Sequence, residues 1–169
     1  MTRELFWLTC TVILTGILWI PYIVNRCQVR GLAGAMANPS RNDKPQSEWA
    51  NRLMFAHDNA VENLVVFAPL VLILSQLDYS TKWMALACAV YFWSRVAHLI
   101  VYTLGLPVFR TLAFTVGFLA QAVLALAIFR VVCGLSALAR NDEQHRRHLV
   151  VESLDFAALD RQRVPAARF

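Results

Sequence analysis

The chain has 169 residues, of which 58% are apolar and 16% charged, with a net charge of +5. A soluble domain averages ~45–50% apolar and ~25% charged, so this balance excludes a water-soluble globular protein and points to a single domain built for lipid. The positive excess comes without a basic stripe of interleaved aromatics, which excludes nucleic acid and favours lipid headgroups and small anions as partners.

Hydropathy predicts four membrane spans. The first, Leu5 to Val24, carries no charge over 20 residues. At ~1.5 Å per residue that length covers a ~30 Å hydrocarbon core. It is too long for a signal-peptide core and lacks a small-x-small closing pattern, so it reads as a retained helix. Pro21 should kink or loosen its last turn. Asn25 to Ser47 reads as a polar loop, with Arg26, Arg30, Arg41 and Lys44 set among Gly31, Gly34, Pro39 and Pro45. Ser47 is the expected N-cap of the second span, Glu48 to about Leu77. Pro69 removes a helical hydrogen bond within it and should bend it.

A turn at Asp78 to Thr81 leads into the third span, Lys82 to about Leu104. Gly105 should end that helix and Pro107 open the next. The fourth span runs from about Val108 to Val132, where Gly117 and Ala120 permit close helix contact. Residues 1–133 thus form a transmembrane domain, and 134–169 a polar tail. Leu149, Val150, Leu154, Phe156 and Leu159 give the tail a weak apolar stripe, enough for one surface helix and a place for a protein partner. Two very short turns force antiparallel neighbours, so the fold class is an all-α integral membrane protein, an up-and-down four-helix bundle. The four cysteines (Cys10, Cys27, Cys88, Cys133) show no ligand spacing and read as buried thiols, with no metal site. Phe67, Tyr91, Phe92 and Trp93 read most simply as lipid contacts.

The chemistry concentrates on polar residues placed where an apolar helix does not ordinarily carry them. Arg52, His57, Asp58, Asn59, Glu62 and Asn63 precede the unbroken apolar run Leu64 to Leu74. At helical spacing Asn59, Glu62 and Asn63 share a face, and Arg52 falls near the same stripe. A carboxylate one turn before such a run requires a partner, and Arg95 or Arg110 is the natural one. Arg95, His98 and Tyr102 form a second stripe on the third span. Arg110 and Thr111 open the fourth.

The antiparallel topology gathers Arg52, Asn59, Glu62, Tyr102, Arg110 and Thr111 at the end carrying the first and third connections, with Arg95 and His98 deeper. Such a cluster suits a small anionic ligand, because arginine binds carboxylates bidentately. It also suits thiol activation. A thiol of reference pKa ~8.5 is mostly protonated at neutral pH, and an adjacent arginine favours the thiolate. Arg110 is the candidate for that role, with Thr111 adding a hydrogen bond. The plainer reading is a structural ion pair for Glu62, a hydrogen-bonded core His98 and an interfacial anchor for Tyr102. Basic residues near the helix ends number six on each side, so charge alone does not orient the bundle.

The segments AHDNAVEN (Ala56 to Asn63), SRVAHLIVY (Ser94 to Tyr102) and LPVFRTLAFTVG (Leu106 to Gly117) resemble the family of membrane-associated proteins in eicosanoid and glutathione metabolism, MAPEG. That family includes the microsomal glutathione transferases and prostaglandin E synthase. The resemblance covers roughly Leu5 to Val132. It implies a homotrimer that binds glutathione between subunits on the cytosolic side. It further implies that Asn59, Glu62, His98 and Tyr102 line the glutathione site, and that Arg110 stabilises the thiolate with Thr111 where some members have serine. Three positions depart from the pattern. Phe55 and Asp58 stand where family enzymes often carry glutathione-binding arginines, and Phe114 replaces a tyrosine.

Two readings follow. The first is a glutathione-dependent transferase or peroxidase acting on lipophilic electrophiles or lipid hydroperoxides, with Arg52, Asn59, Glu62, Arg95, His98, Tyr102 and Arg110 around the tripeptide. The second is a non-enzymatic membrane subunit or lipid-binding module on the same fold that has lost glutathione. A compact chain with helical spans and no visible eukaryotic sorting signal places it in a bacterial inner membrane.

Overall fold

Pro21 decides where the first span breaks. A proline ring clashes with the carbonyl four residues earlier and donates no hydrogen bond to it. In the computed structural model, which describes the backbone of residues 2–163 and side chains through 147, α1 (Arg3–Ile17) stops at that carbonyl and α2 (Trp19–Met36) begins two residues later. Together they make one crossing segment, Arg3–Met36. The remaining helices are α3 (Glu48–Gln76), α4 (Lys82–Leu104) and α5 (Pro107–Arg163). Four segments are long and apolar enough to cross a membrane, and the described residues include no strand. The fold is therefore an all-helical four-span bundle.

The expected loop after Val24 begins later than its polarity suggested. The helix runs on to Met36, interrupted at Gly31, whose φ of +72° only glycine adopts readily. Arginines are tolerated on α2 because their heads have partners. Arg30 pairs with Asp43 at 2.7 Å and donates to the Lys44 carbonyl at 2.8 Å. Arg26 reaches the Gln46 amide oxygen at 3.4 Å. Asn25 is buried and exchanges two bonds with Ser47, its amide donating to Oγ at 3.0 Å and its oxygen accepting from the Ser47 N–H at 3.1 Å. Ser47 occupies the cap position of α3, but its hydroxyl serves Asn25 and makes no cap bond to the helix.

Two compact units divide the chain, Met1–Ile128 and Phe129–Phe169. In the first, α1 packs on α3 and α4, α3 on α4, and α2 on α3 alone. The core joins Leu8, Phe67, Val71, Leu74, Met84, Ala87, Cys88, Tyr91, Ala120 and Leu124. Phe67 and Tyr91 stack with centroids 3.8 Å apart and are fully buried, so they are core residues and not the lipid contacts expected of them. The N-terminal part of α5 is held by side chains bonding to backbone. Gln121 donates to the Asn63 carbonyl at 2.9 Å, and Arg95 to the Phe114 carbonyl at 3.2 Å. Gly117 is obligatory there, because a methyl group at its position would collide with the Arg95 guanidinium and come within 2.7 Å of Ser94 Oγ. Gly105, at φ +77°, ends α4 in the left-handed conformation, and Pro107 opens α5.

In the second unit the described part is helical to Arg163, and its side chains through 147 are exposed apart from the half-buried Val131. Arg146–Asp142 at 3.3 Å and Arg147–Glu143 at 2.5 Å are four-residue helix pairs. The apolar stripe Leu149 to Leu159 lies outside the described side chains.

Candidate functional site

The turn at Gly105–Leu106 creates a cleft. By reversing the chain in two residues it sets the end of α4 beside the start of α5, with the first turns of α3 alongside. Arg52, Phe55, Tyr102, Gly105, Leu106, Pro107 and Arg110 line an open cavity of about 370 Å³. Small-ligand sites commonly span ~300–1,000 Å³. Three of the residues singled out in the sequence, Arg52, Tyr102 and Arg110, thus meet in one place.

Their electrostatics differ. Arg52 is already engaged on one side. Its Nε donates to the Thr103 carbonyl at 2.9 Å and its Nη1 to Glu48 at 3.2 Å. Gly105 fits beneath it, and a Cβ there would touch the guanidinium at 3.4 Å. Arg110 lies with its guanidinium carbon 4.7 Å from the Tyr102 ring centroid. Its side chain makes no hydrogen bond or ion pair among the described residues. Its five N–H donors are therefore free of internal partners among the described residues while the Tyr102 ring supports the guanidinium, and such a group can recognise an anion bidentately. Phe55, 53% exposed, covers the wall where a further cation would strengthen anion binding.

Deeper in the bundle a second group forms around Arg95, which is only 4% exposed. Its Nη1 donates to Asn59 Oδ1 at 3.4 Å, Nη2 to the Phe114 carbonyl, and the guanidinium lies 5.3 Å and 5.4 Å from the Tyr91 and Phe114 ring centroids. His98 is buried beside it, 5.5 Å from Tyr102 and 6.4 Å from Phe114 between ring centroids. Arg95, Asn59 and His98 therefore do not line the cleft. Within the protomer they form a polar plug that ties α3, α4 and α5 together, in contact with the cleft only through the Tyr102 ring.

Glu62 departs most from expectation. It is exposed and forms no ion pair with Arg95 or Arg110 among the described residues. Arg95 meets Asn59 instead, one turn earlier on α3. Asp58, Glu62 and Phe55 all lie on the outward side of α3. Thr111 is exposed as well, and its hydroxyl donates back to the Pro107 carbonyl at 3.2 Å, away from the cleft. Sequence reasoning did not find Glu48, the carboxylate that holds Arg52. The signal was its i,i+4 spacing to Arg52 in the first turn of α3. Among the described residues no group of three His, Cys, Asp or Glu side chains is placed to hold a metal ion.

The search of curated proteins gave no match. Comparison with protein-family models matches the MAPEG family over residues 5–130, the whole of the four-span bundle. With three quarters of its length covered by that match, the chain belongs to the MAPEG family.

Proposed function

We propose that the protein is a membrane-bound glutathione transferase or peroxidase acting on lipophilic electrophiles or lipid hydroperoxides. One observation carries the reading. Arg110, its guanidinium over the Tyr102 ring, lines an open cleft whose lining residues include no carboxylate. Glutathione supplies the carboxylates and the thiol such a site suits. Arg52, restrained by Thr103 and Glu48, offers a second cation at the same cleft. The thiol loses its proton to solvent, and Arg110 stabilises the resulting thiolate by charge and hydrogen bonding. The sulfur lone pair then forms a bond to the electrophilic carbon as the leaving group departs with its electron pair. The second substrate arrives through the hydrocarbon phase, since α4 and α5 expose apolar side chains beside the cleft, Leu104, Leu106, Val108 and Phe109 among them.

Glu62 and Asp58, exposed on α3 and without an ion pair among the described residues, support assembly into the homotrimer that the family implies. In that assembly a neighbouring subunit would complete the site, and Glu62 would reach the tripeptide's amine. The orientation with the cleft on the cytosolic face, and a bacterial inner membrane as location, belong to the same proposal.

The test is calorimetric titration of glutathione into the full-length protein in lipid nanodiscs, for the wild type and Arg110→Ala. Binding at millimolar concentration or tighter that disappears in the variant supports the reading. A ~1 mM site, about −4.1 kcal/mol, is nearly filled at ~10 mM ligand. No heat at that concentration would instead favour the second reading, a structural or lipid-binding subunit that has lost glutathione. That alternative rests on Phe55 and Asp58, an apolar ring and a negative charge on the face that should meet an anion.

A further inference from the structure

At the opposite end of the bundle from the arginine cleft, the start of α1 meets the turn between α3 and α4. Glu4 sits there 3% exposed, with Oε1 accepting a hydrogen bond from Ser80 Oγ at 2.7 Å. Its second oxygen, Oε2, is buried and has no hydrogen-bond partner among the described residues. Glu4 makes no ion pair among the described residues. A carboxylate this buried, with a single neutral partner, carries a heavy desolvation cost unless something neutralises it. Beside it lies a cavity of about 20 Å³, lined by Thr2, Glu4, Leu74, Ser75, Asp78, Tyr79 and Ser80. That space admits one body the size of a water molecule.

The lining is mixed: Leu74 and aliphatic carbon make up much of its surface, and every polar side chain on it carries oxygen. Thr2, Ser75, Tyr79 and Ser80 bring hydroxyls, and Asp78 a second carboxylate. Asp78 occupies the left-handed region at φ +48°, unusual for a residue with a side chain, and so holds the α3–α4 turn against the cavity. The C-terminal end of α3, the negative end of its dipole, abuts the same space. Nitrogen and sulfur ligands are absent from this lining, which selects a hard ion over a transition metal. A lone water would hydrogen-bond Oε2 but leave its charge in place, whereas one positive charge cancels one buried carboxylate. Arg3 and Lys82 line an adjoining depression with Thr2 and Ser80, and neither reaches Glu4 as an ion pair. Their charge limits the site to an ion of low charge.

We propose that Glu4, with Asp78 and the hydroxyls of Thr2, Ser75 and Ser80, forms a binding site for one monovalent hard cation, sodium, that fastens the start of α1 to the α3–α4 turn. The site is separate from the arginine cleft and does not depend on the function proposed for it.

The experiment follows thermal unfolding of the full-length protein in phosphatidylcholine nanodiscs. NaCl is titrated against N-methylglucamine chloride at constant ionic strength, for wild type, Glu4→Gln and Asp78→Asn. Asparagine tolerates the left-handed conformation, so Asp78→Asn removes charge and spares the turn. Sodium should raise the wild-type Tm saturably by several degrees, as a ligand that binds only the folded state does. The response should vanish in Glu4→Gln, and its midpoint should move several-fold higher in Asp78→Asn. Equal responses to the two salts, or an undiminished sodium response in Glu4→Gln, overturns the site and leaves a water beside Glu4. Should Glu4→Gln fail to fold, an unshifted midpoint in Asp78→Asn overturns it equally.

Discussion

Arg110 and Arg95 are the same residue type at the two ends of one polar column, yet the fold treats them oppositely. Arg95 is sealed, with Nη1 and Nη2 donating to Asn59 and the Phe114 carbonyl, Nε buried without a partner among the described residues, aromatic rings on two sides and a glycine cut away to make room. Arg110 rests on one ring, lines an open cleft and spends no side-chain donor among the described residues. The difference teaches how to separate a charge that holds a membrane bundle together from one kept available for a ligand. Depth alone does not decide, since both lie on transmembrane helices. What decides is whether the protomer already encloses and engages the guanidinium.

The comparison breaks most sharply at Arg95. Arg95→Ala strips two part-buried acceptors of their donor and leaves a cavity, so unfolding in nanodiscs should show a stability loss of about 3 kcal/mol. Intact stability would mean the sealed arginine is not structural. Arg110→Ala should do the reverse. The bundle stays folded while conjugation of a lipophilic electrophile falls by ~10²–10³-fold, the range seen when one preorganised charge-stabilising donor is removed. A rate near wild type would remove Arg110 from the mechanism. Gly117→Ala forces a methyl group into the Arg95 guanidinium and should cost about 1–3 kcal/mol, read as a lowered Tm.

Phe55→Arg sharpens the open end. A cation on that wall adds one charged hydrogen bond of ~1.5 kcal/mol or more, tightening glutathione binding about tenfold by calorimetry. Unchanged affinity would show that Phe55 does not face the ligand. The smallest effect is at Gly105. Gly105→Ala places a Cβ in the left-handed region and against Arg52, for a loss of ~1 kcal/mol in stability and a modest weakening of binding.

What the sequence made legible followed from local rules. Gly105 and Pro107 end and begin helices because their backbone chemistry leaves little choice, and Pro21 announced a break whose position, four residues earlier, is set by its own ring. The stripe Arg95, His98, Tyr102 held together for the same reason, helical spacing being independent of neighbours. Relations across helices were less legible. Spacing placed Glu62 and Asn59 on one face but did not fix the rotation of α3, and one turn separates the residue expected to meet Arg95 from the one that does. Phe67 and Tyr91 were misread because an apolar side chain facing lipid and one facing the core have the same composition. Asn25 to Met36 looked like loop because its arginines looked solvated, when Asp43, Gln46 and the Lys44 carbonyl serve them on the helix. The arginine cleft itself was readable from topology. Glu48 and the exclusion of Thr111 needed coordinates.

The interruption at Leu18 bears on the membrane that surrounds the protein. The first crossing segment, 34 residues long, would measure ~51 Å as a straight rod, far beyond a ~30 Å hydrocarbon layer. Its two halves answer to different neighbours, α1 to α3 and α4, α2 to α3 alone. The joint at Leu18 therefore divides the span into a half anchored in the core through Leu8 and a half anchored by the Asn25–Ser47 and Arg30–Asp43 contacts, and the break lets one crossing segment exceed the hydrocarbon thickness without standing as a single straight rod.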